Sequence, residues 1–421
     1  MKVVRTTGRS AKRARALITQ LERRHTVVDE RAAPVARRII ESIRRGGDAN
    51  LRRFSARFDG LAQQTPSQVS PDEMNQAWRE ASSGFRSSIQ QAARNIQRFA
   101  QKQMPKSWTF EQIPGLEVGQ QVRPLKAVGC YVPGGRHPLP STMLMTVIPA
   151  QVAGVQRIVV VSPKPAPETL AVAGVLGITE FYRIGGAQAI AALAYGTESI
   201  AKVDKIVDPG NAYVAAAKKL VSFDCAIDML AGPTEIVVTS DNGDPVGIAA
   251  DLVAQSEHDP DAVAVFITTK DLLAESVSAE VSRLATDNLI AKKAIHNNGV
   301  VFVTESVTES RDLTNRLAPE HLTVDSERDL EWIENAGSVF VGRYSAQPLG
   351  DYVSGPNHTL PTGGSARARG GLSVFDFLKL ITVQKYQRSG IKLLGPSAIT
   401  LAEAEGLHGH AEAIRVRGRH A

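Results

Sequence analysis

Short runs of β-branched residues alternate with alanine-rich stretches through the middle of this chain, and that alternation restricts the fold most. The strand-like runs are RIVVVSP, TEIVVTS, AVAVFITT, GVVFVTE and GSVFVGR. In EFYRIGGAQAIAALAYG, a strand, a glycine turn and a helix follow one another. Strands that alternate with helices form parallel sheets through βαβ crossovers. We therefore predict an α/β protein with two strand groups, near residues 128–240 and 260–345.

Helical sequence flanks these strands. Over residues 30–105, apolar residues recur every three to four positions among Arg, Glu, Gln and Ala, which predicts helices. A final helical tail is predicted after the Gly- and Ser-rich stretch that ends near residue 373. At 421 residues the chain is too long for a single core, so two or more domains are expected.

Positive charge is concentrated at the start of the chain. The net charge is +6, and residues 1–60 hold sixteen Lys and Arg against six Asp and Glu, an excess of +10 that leaves about −4 for the rest. A nucleic-acid binder is one interpretation of SAKRARALITQLERR. An apolar stripe of Leu17, Ile18 and Leu21, without interleaved aromatic residues, favours an amphipathic helix instead. No nucleic-acid partner is expected.

The composition also bears on location and redox chemistry. The sequence contains no apolar run long enough to span a membrane and no signal-peptide core, so we expect a cytoplasmic protein without a membrane partner. Cys130 and Cys225 stand alone, without a CxxC pair. A disulfide framework and a thiolate zinc site are therefore not expected.

Two glycine turns are candidate phosphate sites. YRIGGAQA and VDPGNAY each place a turn between a strand and the start of a helix, where free N–H groups suit a phosphate. Neither matches GxGxxG, and plain connectors have the same composition. In GCYVPGGRHPLPST, Tyr131 can stack on a flat ring or belong to a rigid surface turn.

A helix predicted from the Asp244–Pro245 cap to about Glu257 carries Gln255 and His258 on one face. Both side chains can ligate zinc, although a single QxxH is a weak signal and a surface histidine is the plainer interpretation. Polar contexts elsewhere offer further candidate ligands, which are Asp351, His358, Glu405, His408 and His410. Spacing alone does not show whether such distant segments meet.

A glutamate stands beside a histidine in RLAPEHL. Glu320 and His321 follow Pro319, which favours an extended or turning chain. Adjacent side chains there point in different directions, so each can serve a different proton, and His is the natural base near neutral pH. By itself, Glu-His is a common dipeptide.

Taken together, these stretches resemble the histidinol dehydrogenase family, from about residue 30 to 416. The matching blocks occur in the family's order and at its intervals; they are GCYVPGG, GGAQAIAALAYGT, PGNAYVAAAK, IDMLAGPTEI, AQSEHDPDA, LAPEHL, GDYVSGPNHTLPT and EGLHGHAEA.

The resemblance implies a zinc ion in each subunit and NAD⁺ as the hydride acceptor. The zinc ligands implied are Gln255, His258, Asp351 and His410, and the catalytic pair is Glu320 and His321. The positions implied for NAD are Tyr131, Gln188 and Asn211. The substrate contacts implied are Thr234 and Glu405, together with the four zinc ligands and His321.

It also implies a reaction and an assembly. L-histidinol is oxidised through L-histidinal to L-histidine, the last step of histidine biosynthesis, with His321 as the base in both oxidations and Glu320 activating water. The fold implied is α/β, with two incomplete Rossmann-like domains of parallel sheets, small helical terminal segments and an intertwined homodimer. Each metal site is then shared, because the tail carrying Glu405 and His410 reaches the partner's site.

The domains implied are an N-terminal helical arm, a discontinuous first α/β domain, a second Rossmann-like NAD-binding domain and a helical tail. They span 1–24, 25–128 with 238–372, 129–237 and 373–421.

Some positions depart from the family's usual pattern. Thr234 replaces a Ser, Asp208 replaces a Gly, and Arg136 and His137 lie in a loop that often carries Lys and small residues. Some relatives of the family oxidise other small alcohols such as sulfonated diols. The basic side chains of Arg136 and His137 can contact the negative charge of such a substrate. A paralogue with such a substrate is therefore the alternative function.

Overall fold

The computed structural model describes residues 1–24, 31–62, 64–134, 139–207 and 210–419. Arg136, His137 and Asp208 lie outside these ranges. The chain divides into a larger unit, Met1–Lys102 with Lys126–Phe377, and a smaller unit, Gln103–Leu125 with Leu378–Ala421. None of the helices in the described ranges is both long and apolar enough to cross a membrane.

The strands are, in chain order, β1 (Lys2–Arg5), β2 (Gln68–Val69), β3 (Trp108–Ile113), β4 (Leu116–Pro124), β5 (Ala127–Tyr131), β6 (Arg157–Val161), β7 (Glu180–Tyr182), β8 (Lys205–Val207), β9 (Ala226–Ile227), β10 (Glu235–Thr239), β11 (Val263–Thr268), β12 (Gly299–Val303), β13 (His321–Val324), β14 (Ser338–Val341) and β15 (Leu378–Tyr386).

The α-helices are α1 (Ala11–Glu22), α2 (Ala32–Phe54), α3 (Pro71–Glu80), α4 (Ser83–Gln103), α5 (Pro140–Ala153), α6 (Pro167–Val175), α7 (Gly186–Tyr195), α8 (Ala212–Val221), α9 (Pro245–Ser256), α10 (Asp271–Leu284), α11 (Leu289–Asn298), α12 (Val307–Leu317), α13 (Gln347–Tyr352), α14 (Arg388–Ala404) and α15 (His408–Arg419).

One sheet of the larger unit has the order β1-β12-β11-β10-β13-β14, and its neighbouring strands are parallel. Helices cover parallel sheets on both faces, so their strands are continuously apolar. Every residue of β12 is buried, as expected for a strand covered on both faces. The connections from β10 run outward through β11 to β12 and then return to β13 and β14, so the order reverses between β10 and β13.

The other sheet has the order β2-β7-β6-β5-β8-β9. Its strands are parallel except for β2, which lies antiparallel at the edge beside β7. The order reverses between β5 and β8, as it does in the Rossmann fold. The predicted α/β class with two Rossmann-like halves is therefore confirmed. The proposed boundaries after residues 128 and 237 fall inside β5 and β10.

Two segments differ from the predicted helical ends. The arm begins with β1, because the β-branched pair Val3 and Val4 extends the first sheet beside β12 before α1 starts. In the predicted helical tail, β15 precedes α14 and pairs antiparallel with β4, which pairs with β3. The run of β-branched residues 381–383 favours this strand over a helix. The rest of the tail is helical, in α14 and α15.

Candidate active site

The Glu320–His321 pair lies at the amino-terminal edge of the first sheet. His321 is the first residue of β13, opposite Ile236 of β10 and Ser338 of β14. After α12, Ala318 adopts a left-handed conformation with φ of 46°. Glu320 follows in the connection, and His321 begins β13. Both are buried. Ligands of open α/β sheets usually bind at the carboxyl edge, so the placement of this pair is unusual.

A chain of hydrogen bonds holds Glu320 in place. Its Oε2 accepts a 2.6 Å bond from the Thr234 hydroxyl and a 2.7 Å bond from the Glu235 backbone N–H. The Thr234 hydroxyl oxygen in turn accepts a short bond from the Gln255 side-chain amide. The Thr234 hydroxyl therefore links Glu320, a catalytic candidate, to Gln255, a metal-ligand candidate.

The His321 ring lies between two carboxylates. Its Nδ1 is 3.1 Å from the Glu235 carbonyl oxygen and 3.6 Å from Glu320 Oε2, while Nε2 is 3.6 Å from Asp351 Oδ1. A carbonyl oxygen only accepts, so a proton on Nδ1 satisfies the Glu235 bond, whereas an unprotonated Nδ1 can accept from the Gln255 side-chain amide at 3.3 Å. In either case Nε2 is turned toward Asp351. Burial lowers the pKa of His321, but Glu320 and Asp351 outweigh burial and raise that pKa to about 10.

Asp351 lies in the wall of a cavity of about 400 Å³ that His321 and His358 also line. Its Oδ2 accepts a 3.0 Å bond from the Gln347 side chain, and its backbone carbonyl accepts a 2.8 Å bond from His358 Nδ1. Burial raises the pKa of Asp351, but the His321 hydrogen bond and charge outweigh burial, so the net shift is downward. The cavity thus has both an anionic and an imidazole wall.

Gln255 lies in the last turn of α9 and His258 follows two residues after its end, close to the helix end that the sequence predicts. Asp244 caps this helix by accepting from the N–H groups of Val246 and Gly247. The Gln255 side-chain oxygen Oε1 is buried and has no hydrogen-bond partner among the residues that the structure describes. His258 is exposed just beyond the helix, and its charge contributes to the lowered pKa of Asp351. These residues therefore gather on one side of the larger unit.

Glu405 and His410 belong to the smaller unit. Glu405 follows α14, His410 lies in the first turn of α15, and both are exposed. Within the described ranges, no three His, Cys, Asp or Glu side chains form a group able to hold a metal ion. The ligand set implied by the sequence includes a glutamine, which is outside those residue types.

The three residues predicted for NAD lie along the carboxyl edge of the second sheet. Tyr131 ends β5, and its hydroxyl accepts a 3.2 Å bond from the Gly186 N–H at the start of α7. Gln188 is buried and donates to Asp59 Oδ2 at 3.1 Å. Asn211 is exposed and caps α8, which follows β8. These positions therefore flank the reversal of strand order between β5 and β8.

Two supporting residues are not among those predicted from the sequence. Gln347 lies four residues before Asp351 on α13, a helical spacing that can be read from sequence once that helix is recognised. Asp59 accepts from both Gly185 N–H and Gln188, and nothing in the sequence signals this contact across more than 120 residues. Burial raises the pKa of Asp59.

Cys130 lies in β5, and Cys225 lies just before β9. Both Cys130 and Cys225 are buried free thiols. Burial raises the pKa of each thiol to about 12, which keeps the thiolate concentration low.

Comparison with known proteins identifies the family. The family described as histidinol dehydrogenase matches residues 22–418. The chain is 45% identical over 413 residues to the histidinol dehydrogenase of Methanothermobacter thermautotrophicus, covering 95% of this chain and 96% of the relative. It is 47% identical over 392 residues to that of Geobacillus kaustophilus, covering 90% and 92%.

A solved structure agrees along the length of the chain. The crystal structure of histidinol dehydrogenase from Elizabethkingia anophelis superposes with a TM-score of 0.93 at 36% identity, covering 99% of this chain and 98% of that one. The chain therefore belongs to the histidinol dehydrogenase family, the oxidoreductases of histidine biosynthesis.

Proposed function

We propose that the site around Glu320 and His321 oxidises L-histidinol through L-histidinal to L-histidine, with NAD⁺ as the acceptor of both hydrides. The observation that carries this proposal is the buried acid–base pair, whose His321 lines the cavity. His321 turns Nε2 toward Asp351 there, while Nδ1 is held by the Glu235 carbonyl. That arrangement fixes the nitrogen that exchanges protons with a bound alcohol.

We assign one zinc ion to each subunit, held by Gln255, His258, Asp351 and His410. The fit rests on Gln255, since its buried Oε1, which has no partner in the described part of the chain, is an acceptor of the kind a ligand satisfies. The donor set is entirely nitrogen and oxygen, which zinc accepts. When bound, zinc supplies a positive charge that orients the substrate's amine and imidazole and offsets the carboxylate charge beside His321.

His321 acts as the base of both oxidations in its neutral form, which is favoured when the metal charge offsets the carboxylates that otherwise raise its pKa. Its Nε2 takes the alcohol proton as hydride leaves the carbinol carbon and releases that proton to solvent. The freed Nε2 then takes a proton from the hydrated aldehyde as the second hydride leaves. Glu320 activates the water that hydrates the aldehyde, and its orientation is maintained by the hydroxyl of Thr234 and the N–H of Glu235. Retaining the aldehyde between steps protects a reactive amino aldehyde from the solvent.

We place the nicotinamide cofactor along the carboxyl edge of the second sheet, at Tyr131, Gln188 and Asn211. The support is topological, because dinucleotides bind where the strand order of a Rossmann-like sheet reverses. Tyr131 ends β5 and Asn211 begins α8, so the two stand on either side of that reversal.

We propose a homodimer in which Glu405 and His410 of the partner subunit complete each site. The smaller unit supplies support, because the surfaces of α14 and α15 expose large apolar side chains. These are Leu393, Leu401 and Val416, at 56%, 66% and 42% of their area, together with Leu407 at 42% in the connecting turn. Exposed apolar surface of this kind is typical of an interface.

The test is a substrate panel with NAD⁺ and zinc, containing L-histidinol, other amino alcohols and sulfonated diols. We expect turnover of L-histidinol with two NADH formed per molecule, and loss of that turnover in His321→Asn. Preferential turnover of a diol supports the alternative paralogue function. Full L-histidinol oxidation by the His321→Asn variant contradicts the assigned base.

A further inference from the structure

The basic N-terminal arm is joined through Arg24 to Glu235, the residue whose backbone bonds to the acid–base pair. Arg24 follows α1, and its guanidinium meets the carboxylate of Glu235 through two parallel bonds of 2.8 Å. The same guanidinium donates to the carbonyl of Leu317 at 2.7 Å, at the end of α12, and to that of Leu21. The arm is thereby tied to the strand end and helix end from which the site is built.

The side chain of Glu235 pairs with Arg24, and its backbone bonds to Glu320 and His321. Its Oε1 also accepts a 2.8 Å bond from the N–H of Gly363. Its own N–H donates to Glu320 Oε2 at 2.7 Å, and its carbonyl accepts from His321 Nδ1 at 3.1 Å. Any shift of this one residue therefore changes both hydrogen bonds together.

We propose that Arg24 and Glu235 are positioning residues that set the orientation of Glu320 and His321; this inference rests on the proposed function of that pair. Glu235 is the first residue of β10, where the strand ladder constrains the backbone least. Its side chain is only 3% exposed and that of Arg24 is 15% exposed. Buried ion pairs contribute little net stability compared with apolar replacements, so fixed geometry is the main effect expected of this pair.

The test replaces both charges at once, because removing Arg24 alone leaves a buried, unpaired carboxylate. The variant is Arg24→Met with Glu235→Gln. The chain offers a matched control in the second sheet, where Arg157 grips Glu180 through two bonds of 2.7 Å and also donates to backbone carbonyls. The control variant is Arg157→Met with Glu180→Gln, and it contacts neither member of the catalytic pair.

We expect kcat for L-histidinol to fall about 10- to 100-fold in the Arg24/Glu235 variant, because small misplacement of a catalytic group has effects of that order. KM and bound zinc should stay within about threefold of the parent, as for loss of an interaction made in the transition state. The control should keep its kcat, while both variants melt at similar temperatures. The conservative variant Arg24→Lys keeps the charge but not the paired bonds, so its kcat should lie between that of the Arg24/Glu235 variant and that of the control.

A folded Arg24/Glu235 variant with the parent's kcat overturns the inference, as does an equal loss of kcat in the control. If the double variant does not fold, Arg24→Lys decides, since parental kcat there is equally contrary. The His321→Asn variant is measured in parallel. Full activity of His321→Asn refutes the proposed base itself, whereas an inactive His321→Asn beside a fully active Arg24/Glu235 variant refutes only the positioning role.

Discussion

Asp251 should cost the enzyme stability at neutral pH, and Asp251→Asn should recover it. This carboxylate lies on α9, one turn before Gln255, and accepts a 3.3 Å bond from the backbone N–H of Gln347. Burial raises its pKa to about 6, and that single hydrogen bond offsets only part of the effect. Asparagine keeps an oxygen for the Gln347 N–H but carries no charge to bury.

The size and sign follow from proton linkage. The pKa of this carboxyl group in the unfolded chain is about 3.9, so the native state holds one more proton than the unfolded state between about pH 4 and pH 6. Stability therefore falls as pH rises through this window and stays reduced above it. Two pH units correspond to at most about 3 kcal/mol, and partial solvent access to Asp251 reduces the expected cost to about 1–2 kcal/mol.

Chemical denaturation at four pH values from 4 to 8 measures this effect. The gain in unfolding free energy from Asp251→Asn should be near zero at pH 4 and complete above pH 6.5. Asp241→Asn provides a control of opposite sign. Burial acts against the Asp241 charge, but bonds from Thr268 and Thr269 outweigh it and lower the pKa, so that variant should lose stability above pH 4. A gain for Asp251→Asn that does not vary with pH would refute the reasoning.

Further predictions concern the site itself. His258→Ala should lose bound metal and activity together while keeping its circular dichroism spectrum, and full activity in chelator-treated parent enzyme would contradict the metal assignment. Hybrid dimers of His258→Ala with His410→Ala should recover one working site of two, whereas inactive hybrids would place the tail in cis. Glu320→Gln should slow L-histidinal oxidation more than L-histidinol oxidation, by about 10²–10⁴-fold for the sensitive step, and equal losses would remove the division of roles. Thr234→Val should lower the unfolding free energy by about 1–3 kcal/mol in chemical denaturation, because valine leaves Glu320 without one donor. Thr234→Ser keeps the hydroxyl and should have nearly the parent's unfolding free energy.

Local patterns in the sequence predicted much of the fold. The Asp244–Pro245 cap gave the start of α9, and the β-branched runs gave the parallel strands, because capping and strand periodicity are written in neighbouring residues. The same logic misread residues 378–386, whose helical surroundings concealed a strand. Pairing with β4, more than 250 residues away, stabilises it, and such partners leave no local signal.

The sequence indicated candidate site residues but not where in the fold they lie. Individual residues such as His321 and Gln255 stood out, yet the usual rule points to the carboxyl edge of a parallel sheet. Here β13 starts with His321, and α9 runs back from the carboxyl edge, so its last turn brings Gln255 to the amino edge. That meeting depends on helix length and crossover direction together. The bond between the Glu235 backbone and Glu320 is equally invisible in sequence, since a backbone group carries no residue signature.

The parallel pairing of β1 with β12 has a consequence for synthesis on the ribosome. Lys2 to Arg5 can pair only after residues 300–303 have emerged, and Arg24 waits for Glu235, 211 residues later. The parallel strands of the second sheet, from β5 to β9, lie within one stretch of about a hundred residues and can assemble much earlier. Until β12 appears, the nascent chain holds β10 and β11 with an open apolar edge, the kind of surface that chaperones shield and that other chains capture. The sheet that carries the acid–base pair is thus the last to have its aggregation-prone edge covered.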